Sequence, residues 1–169
     1  LNRLISLEER SRAWEAALSS LRRLYERAPE NVPMAEYVHR LASEAGALAE
    51  QGGFAGAHAE EARRCFRTLQ EGLKRGPGEP VATVLAHGDL QPGNILWDGT
   101  RAWVIDFEYS ARRQLDYDRF TYELDSRFPG GLAARIRRRA GSEPALVPRL
   151  RLFLLEELVF RLTEAAHLS

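Results

Sequence analysis

The segment 87–108 constrains the fold more than any other part of the chain. It reads H-G-D-L-Q-P-G-N-I-L-W-D-G over 87–99, and V-I-D-F-E closes it at 104–108. The Asp98-Gly99 dipeptide separates two apolar runs and suits a tight two-residue hairpin turn, because both of its positions tolerate positive φ. Since the second strand of a hairpin runs back beside the first, three side chains with oxygen donors should converge at its open end: Asp89, Asn94 and Asp106.

Two carboxylates and one amide oxygen make a donor set for a hard cation. Oxygen ligands of this kind suit Mg²⁺ with bound phosphates better than they suit zinc. A His-Gly-Asp tripeptide by itself is more often a turn with a capping aspartate, so only the complete set in this order indicates a site. We therefore interpret Asp89, Asn94 and Asp106 as a phosphate-handling site.

Helical periodicity dominates the chain on both sides of this segment. Ser6 and Glu9 form a capping box before a helix that is predicted to end at Pro29, and no strand is predicted before residue 81. A short strand is predicted over 81–86. The other predicted helices lie at 33–50, 58–74, 116–127, 132–140 and 144–167.

These elements predict a single, mainly helical α+β domain over 1–169. Its expected parts are a helical region at 1–75, a loop and hairpin at 81–108, and a second helical region at 116–169. With 44% apolar residues, the chain can form a hydrophobic core of its own. The apolar residues near the C-terminus recur at helical intervals, which favours core packing: Leu150, Phe153, Leu154, Leu158 and Leu162.

Charge and cysteine content argue against several classes of protein. Acidic and basic residues balance at 24 each, so charge gives no preference for nucleic acid or an anionic membrane, and the basic cluster at 135–139 is interpreted as a solvated helix face. The most apolar run, 150–162, is too short to span a membrane and contains Glu156 and Glu157. A single cysteine, Cys65, cannot form an internal disulfide, and we expect a soluble cytoplasmic protein.

The order H-x-D-L-x-x-x-N followed by D-F has the spacing of the kinase catalytic loop and metal motif. The runs A-H-G-D-L-Q-P-G-N-I-L and V-I-D-F-E-Y-S, with Tyr117-Asp118 after them, resemble the aminoglycoside phosphotransferase and choline kinase superfamily. The resemblance implies the C-terminal lobe of a protein-kinase-like fold, with its catalytic loop and short β-hairpin. It also implies an enzyme that uses Mg²⁺ and ATP, or another nucleoside triphosphate, to phosphorylate a hydroxyl group of a small molecule.

The same resemblance implies a role for each residue of the motif. Asp89 would be the catalytic base, and Asn94 and Asp106 would bind the metal. His87 would be a buried residue that supports the loop, and Asp118 would hold the loop through backbone hydrogen bonds.

Three neighbouring positions leave alternatives open. Gln91 stands where many aminoglycoside phosphotransferases have His and serine/threonine protein kinases have Lys, which disfavours a protein kinase and leaves the subfamily undecided. Glu108, where protein kinases have Gly, either supports the site from beside it or is a solvated turn residue. Asp116 is interpreted as a cap at the positive end of a helix dipole.

Kinases also use a glycine-rich loop over the phosphates and a strand lysine, both before the catalytic loop, and neither is recognised in this sequence. Lys74, the only lysine, lies at a predicted helix end. We therefore expect the chain to be the C-terminal lobe of a larger enzyme with the N-terminal ATP lobe absent, and to fold without being active alone. Its expected partners are a small-molecule hydroxyl acceptor, the missing lobe and, on the surface that this lobe would cover, a second copy of the chain.

The function and the acceptor each have an alternative. The chain is expected to be the catalytic half of a phosphotransferase, and the alternative is a non-enzymatic kinase-like binding module. From Glu108 onward nine acidic residues stand against eleven arginines, so no preference for a polycationic acceptor is predicted. A choline or ethanolamine kinase-type enzyme stays an alternative, since I-D-F-E-Y-S is similar to choline kinases. Five carboxylates could line a local pocket for such an acceptor: Asp116, Glu123, Asp125, Glu156 and Glu157.

Overall fold

The computed structural model of this chain describes residues 6–51, 57–74, 78–128 and 130–167. In these residues the protein is a mainly helical α+β structure with small antiparallel sheets. Its helices are α1 (Leu7–Tyr25), α2 (Met34–Gln51), α3 (Ala57–Lys74), α4 (Tyr117–Glu123), α5 (Leu132–Ser142) and α6 (Val147–His167). Its strands are β1 (Glu30–Val32), β2 (Val81–Ala86), β3 (Ile95–Trp97), β4 (Ala102–Val104) and β5 (Ala111–Gln114). None of the helices in these ranges is both long and apolar enough to cross a membrane.

The chain divides into two compact units. Unit 1 consists of Leu1–Glu30 and Thr83–Leu132, and unit 2 consists of Asn31–Ala82 and Ala133–Ser169. The whole of the segment 87–108 belongs to unit 1. The single domain expected over 1–169 stays a prediction.

Most of the predicted helices are confirmed close to their predicted bounds. The predictions at 33–50 and 58–74 correspond to α2 and α3, and the strand at 81–86 is β2. The two C-terminal predictions correspond to α5 and α6, with a short 3₁₀ turn at Pro144–Leu146 before α6. Hydrophobic periodicity was therefore sufficient to locate these long elements.

Helix α1 begins at the predicted capping box. Ser6 Oγ accepts a hydrogen bond from Glu9 N (3.1 Å), and Glu9 Oε2 accepts one from Ser6 N (3.1 Å). The helix ends at Tyr25, before the predicted limit at Pro29. It packs on the hairpin strands β3 and β4. Its buried residues recur at every fourth position: Ala13, Ala17, Leu21 and Tyr25.

The predicted hairpin is present, but its turn lies one residue further along the chain. Asp98 N donates to Arg101 O (3.3 Å), so Gly99 and Thr100 are the central turn residues, and Gly99 has a positive φ of 104°. The predicted Asp98-Gly99 turn is wrong because the Asp98 carboxylate accepts hydrogen bonds from Arg101 N (2.7 Å), Thr100 N (2.7 Å) and Thr100 Oγ1 (2.9 Å). These hydrogen bonds, the one from Arg101 N first, lower the pKa of Asp98.

Two short strands were not predicted. β2 is the middle strand of a three-stranded sheet in the order β1-β2-β5, so the expectation of no strand before residue 81 is wrong. β1 is three residues long and β5 reads A-R-R-Q, so neither shows apolar alternation; both are strands because they pair with β2. The antiparallel register of β2 and β5 is Thr83↔Gln114, Val84↔Arg113, Leu85↔Arg112 and Ala86↔Ala111.

Helix α4 is shorter than predicted. The prediction extended it from Asp116 to Arg127, whereas the helix ends at Glu123. Asp125 has a positive φ of 49°, in the left-handed region, and this conformation cannot continue a right-handed helix. The turn at 124–128 therefore places Arg127 outside the helix.

Unit 2 contains α6 packed against α2 and α3. Of the C-terminal residues predicted as core, Leu150, Phe153 and Leu162 are buried and the other two are half-buried. Glu156 is also fully buried, where the hydroxyl of Tyr37 donates to its carboxylate. The main cluster of buried apolar residues is Tyr37, Val38, Leu41, Phe66, Leu73, Val81, Leu152, Leu155 and Val159.

Replacing Leu155 by alanine should destabilise the protein strongly. Leu155 is fully buried in the unit 2 cluster, and its truncation leaves a cavity. The free energy of unfolding should therefore fall by about 2–5 kcal/mol, measured by urea unfolding followed by circular dichroism. Leu7→Ala is the matched control, because Leu7 is 82% exposed and its loss should change that free energy by less than about 0.5 kcal/mol. Similar effects of the two substitutions would contradict the core position of Leu155.

Candidate active site

The carboxylate of Asp118 holds the start of the loop at 87–91. Asp118 lies in the first turn of α4 and is almost fully buried. Its oxygens accept hydrogen bonds from His87 N (2.7 Å), Gly88 N (2.9 Å) and Tyr25 Oη (2.6 Å). One side chain therefore connects α1, the loop and α4 within unit 1, and it orients the backbone where the loop begins.

Position 88 accommodates only glycine. Gly88 has a φ of 90°, and a Cβ atom there would lie 2.0 Å from the carbonyl oxygen of Tyr109. That distance is far inside van der Waals contact, and L side chains rarely adopt this backbone conformation. The glycine of the H-G-D sequence is therefore required by the close approach of the backbone at Tyr109.

His87 connects the loop to the hairpin. Its side chain is fully buried. Its Nε2 donates to Ile105 O (2.8 Å), since a carbonyl oxygen can only accept, and its Nδ1 accepts from Asp89 N (3.2 Å). The imidazole ring also packs against Phe107, with the two ring centroids 4.5 Å apart. The residues on either side of Asp106 are therefore both in contact with His87.

The carboxylate of Asp89 is the acceptor for the polar side chains around it. Its Oδ2 accepts hydrogen bonds from Gln91 Nε2 (3.0 Å) and Asn94 Nδ2 (3.0 Å). Its Oδ1 accepts from Arg127 Nε, and the side chains of Arg127 and Asp89 are only 8% and 11% exposed. Three donors on two oxygens therefore fix the orientation of this carboxylate.

The hairpin brings Asp106 back beside Asn94. Ile105 N donates to Asn94 O (3.0 Å), and Asp106 is the next residue. Asp106 is exposed and has a positive φ of 66°, which is uncommon for a residue other than glycine. Asn94 Nδ2 donates to both Asp89 O (2.9 Å) and Asp89 Oδ2, so the amide oxygen is the atom of Asn94 that remains for a ligand.

The oxygen atoms of these two residues are donors of the kind that Mg²⁺ takes. Mg²⁺ prefers oxygen donors and usually takes one or two protein carboxylates, with phosphates and water completing its coordination. The amide oxygen of Asn94 and the exposed carboxylate of Asp106 are donors of this kind. In the described ranges there is no cluster of three or more His, Cys, Asp and Glu side chains that could hold a metal by themselves.

Two residues of the site were not predicted. Tyr25 lies on the apolar face of α1, which indicates burial but does not show that its hydroxyl reaches Asp118. Arg127 was predicted as the last residue of a helix, and no pattern around it indicates an ion pair with Asp89. Each residue lies far along the chain from its partner, so only the tertiary fold brings the two together.

The structure places several of the other acidic residues considered from the sequence. Glu108 lies in an exposed turn. Asp116 is the N-cap residue of α4, as predicted, although its side chain makes no capping hydrogen bond. Glu123 pairs with Arg119 (2.7 Å), and Glu156 is buried within unit 2. Glu123 and Glu156 therefore each have a side-chain partner, Arg119 and Tyr37.

Comparison with known proteins gives one family. A family model described as "Phosphotransferase enzyme family" matches residues 3–153 of the 169. The matched range contains every residue of the candidate site described above. Searches of curated proteins and of solved structures found no match.

Removing the Tyr25 hydroxyl should destabilise the protein in a pH-dependent way. Burial, followed by the negative charge of Asp118 and the hydrogen bond to it, raises the pKa of Tyr25 above that of an exposed tyrosine. At neutral pH, Tyr25→Phe should lower the free energy of unfolding by about 1.5–3 kcal/mol, because a hydrogen bond to a charged group is lost. Only the unfolded chain releases this proton near pH 10, so the contribution of Tyr25 is full below about pH 10 and decreases as the pH rises further.

Urea unfolding of both proteins at about pH 8 and about pH 11 measures this contribution at each pH. The other tyrosines are the same in the two proteins, so their titration cancels in the difference. A difference of equal size at both pH values would contradict the burial of a protonated Tyr25 against Asp118.

Proposed function

Since the chain belongs to the phosphotransferase enzyme family, we propose that it transfers a phosphoryl group from ATP, or another nucleoside triphosphate, to a hydroxyl of a small molecule. The observation that carries the proposal is the nearly buried carboxylate of Asp89, held by three donors at the end of the hairpin that bears Asp106. Phosphoryl transfer depends on positioning and electrostatic stabilisation, and both require groups that are held in place in advance.

In this proposal Asp89 is the general base. The hydroxyl oxygen of the acceptor forms a bond to the terminal phosphorus of ATP, and the bond from that phosphorus to the bridging oxygen breaks, so that ADP leaves. Asp89 takes the proton that the hydroxyl loses. Because its orientation is already determined by Gln91, Asn94 and Arg127, the base needs no rearrangement to receive the acceptor.

The metal ligands in this proposal are Asn94 and Asp106. Bound Mg²⁺ neutralises charge on the nucleotide phosphates. His87 supports both the base and a metal ligand. Its Nε2 donates to the carbonyl oxygen of Ile105, the residue before Asp106, and its Nδ1 accepts from the backbone N–H of Asp89. A positioned base beside the metal ligands favours an enzyme over a non-enzymatic binding module, because a module that only binds has no use for a base.

We assign the part of the site that covers the nucleotide to an ATP lobe outside residues 1–169. Lys74, the single lysine of the chain, is the last residue of α3 and therefore cannot be a strand lysine that reaches the phosphates. Several apolar side chains on and after the hairpin are exposed, which suits a surface covered by such a lobe or by a second copy of the chain. They are Leu96, Trp103, Ile105 and Phe107.

Asp106→Ala should abolish Mg²⁺-dependent binding of ATP, because no neutral group replaces a carboxylate that would hold the ion. The NMR signal of the Asn94 side-chain amide reports the binding on the 169-residue chain, in ATP titrations with and without Mg²⁺. Glu108→Ala is the matched control: this neighbouring carboxylate is exposed, and its loss should leave the titration unchanged. Coinciding titrations of the wild type and Asp106→Ala would show that Asp106 is not a ligand.

Asp89→Asn should lower turnover by about 10²–10⁴-fold with little change in ATP affinity, because the base acts in the transition state. The assay uses the chain with an N-terminal ATP lobe supplied as a separate fragment, since the chain alone is expected to be inactive. Its acceptors are aminoglycosides, choline, ethanolamine, sugars and homoserine.

Asp98→Asn removes a carboxylate from the exposed hairpin turn, outside the site, and is the control. Its turnover should equal that of the wild type. Near-normal turnover of Asp89→Asn would contradict its role as the base. Turnover by the wild-type chain without the added fragment would contradict the assignment of a separate ATP lobe.

A further inference from the structure

Tyr117 is a fully buried residue to which the mechanism above gives no part. It precedes Asp118 at the start of α4. The carboxylate of Asp118 accepts from the loop backbone, at His87 N and Gly88 N. The hydroxyl of Tyr117 contacts a different group, because it accepts a hydrogen bond from Arg127 Nη2 (3.3 Å). The two neighbouring side chains therefore have separate partners at the site.

Arg127 connects the Tyr117 hydroxyl to Asp89. Its Nε donates to Asp89 Oδ1, and its Nη2 donates to Gly88 O (2.5 Å) as well as to the hydroxyl. An arginine side chain has several rotatable bonds, and ordering it costs conformational entropy, so its position depends on the acceptors that hold it. The loop supplies two of these acceptors, and the Tyr117 hydroxyl on α4 supplies another.

The ring of Tyr117 is itself held by a neighbour. Arg113 Cζ lies 4.4 Å from the ring centroid, within the range of a cation–π contact. Arg113 belongs to β5 and lies opposite Val84 of β2, the strand that leads into the loop. A tyrosine side chain has only two torsions, so a ring held by the sheet and the helix gives its hydroxyl a defined position.

We infer that Tyr117 is a positioning residue for the proposed reaction: its hydroxyl holds Arg127, and Arg127 in turn orients the Asp89 carboxylate. The inference rests on the proposed function, in which Asp89 is the base. A displacement of about 1 Å at a reacting group can cost about 10²-fold in rate, so a residue that restrains the base affects turnover. Tyr117 and Asp118 therefore support the loop from two sides, through the side chain of the base and through the backbone.

Tyr117→Phe tests the inference, because it removes the hydroxyl and keeps the ring that packs on Arg113. On the 169-residue chain, NMR measures how fast the Arg127 Nε proton, which bonds Asp89, exchanges with water. The exchange should become about tenfold faster in the variant, since a hydrogen bond to a charged group is lost. This measurement needs neither nucleotide nor turnover, so it is independent of the proposed function.

Turnover of the chain with the added ATP-lobe fragment is the second readout. Tyr117→Phe should lower kcat about tenfold and change the KM for ATP by less than about twofold, because the restraint acts on the base. Arg127→Gln should cancel this effect: adding Tyr117→Phe to that variant should not lower kcat further, because the hydroxyl acts through Arg127.

Tyr122→Phe is the matched control. Tyr122 lies on the same helix and its ring stacks on that of Trp14, with the centroids 3.9 Å apart, so the loss of its hydroxyl should leave both readouts unchanged. If circular dichroism shows Tyr117→Phe to be unfolded, Arg113→Gln replaces it. This variant removes the charge that packs on the Tyr117 ring and should accelerate the Arg127 exchange about threefold.

The inference is overturned if the Arg127 exchange is unchanged in folded Tyr117→Phe, or in Arg113→Gln where that variant replaces it. It is also overturned if Tyr122→Phe has the same effect, or if Tyr117→Phe lowers kcat equally with and without Arg127. An unchanged kcat in Tyr117→Phe contradicts it too, provided that Asp89→Asn is impaired.

A failure of the proposed function gives a different result. Near-normal turnover of Asp89→Asn, or no turnover of the wild type with the added fragment, would contradict that function. The exchange of the Arg127 proton then decides by itself whether the Tyr117 hydroxyl positions Arg127.

Discussion

The candidate site depends on a buried carboxylate that takes no part in the proposed chemistry. Asp118 accepts hydrogen bonds from two successive backbone N–H groups, those of His87 and Gly88, and from the Tyr25 hydroxyl. Hydrogen bonds to an ionised acceptor are stronger than those between neutral groups, and a buried carboxylate without them would be costly. The backbone at the start of the loop is therefore held by the same bonds that make the burial of Asp118 tolerable.

The next residue of the loop, Asp89, is a second nearly buried carboxylate, and Arg127 balances its charge. Breaking such a pair leaves an uncompensated charge, so Arg127 contributes to the fold as well as to the site. Asp106 and Asp125 have left-handed backbone conformations, each of which costs about 1–3 kcal/mol and persists only where its surroundings impose it. The first lies at the end of the hairpin, beside Asn94, and the second lies in the turn after α4, next to Arg127.

Local patterns predicted most of the long helices but not the elements that depend on a neighbour. The Ser6 capping box and the apolar periodicity of α1 and α6 act over a few residues, so they can be read directly from the sequence. β1 and β5 are strands because β2 lies between them, and their own residues carry no strand pattern. The end of α4 depends on the conformation of Asp125, which its sequence context did not indicate.

The sequence by itself determined the family and the identity of three candidate site residues, because Asp89, Asn94 and Asp106 lie at characteristic spacings in one short segment. The tertiary structure alone decided that Tyr25 reaches Asp118 and that Arg127 reaches Asp89. Hydrogen bonds between single polar side chains far apart in the chain have no periodicity, so they leave no signal in a sequence. The ion pair of Asp89 with Arg127 therefore emerges only when the chain is folded.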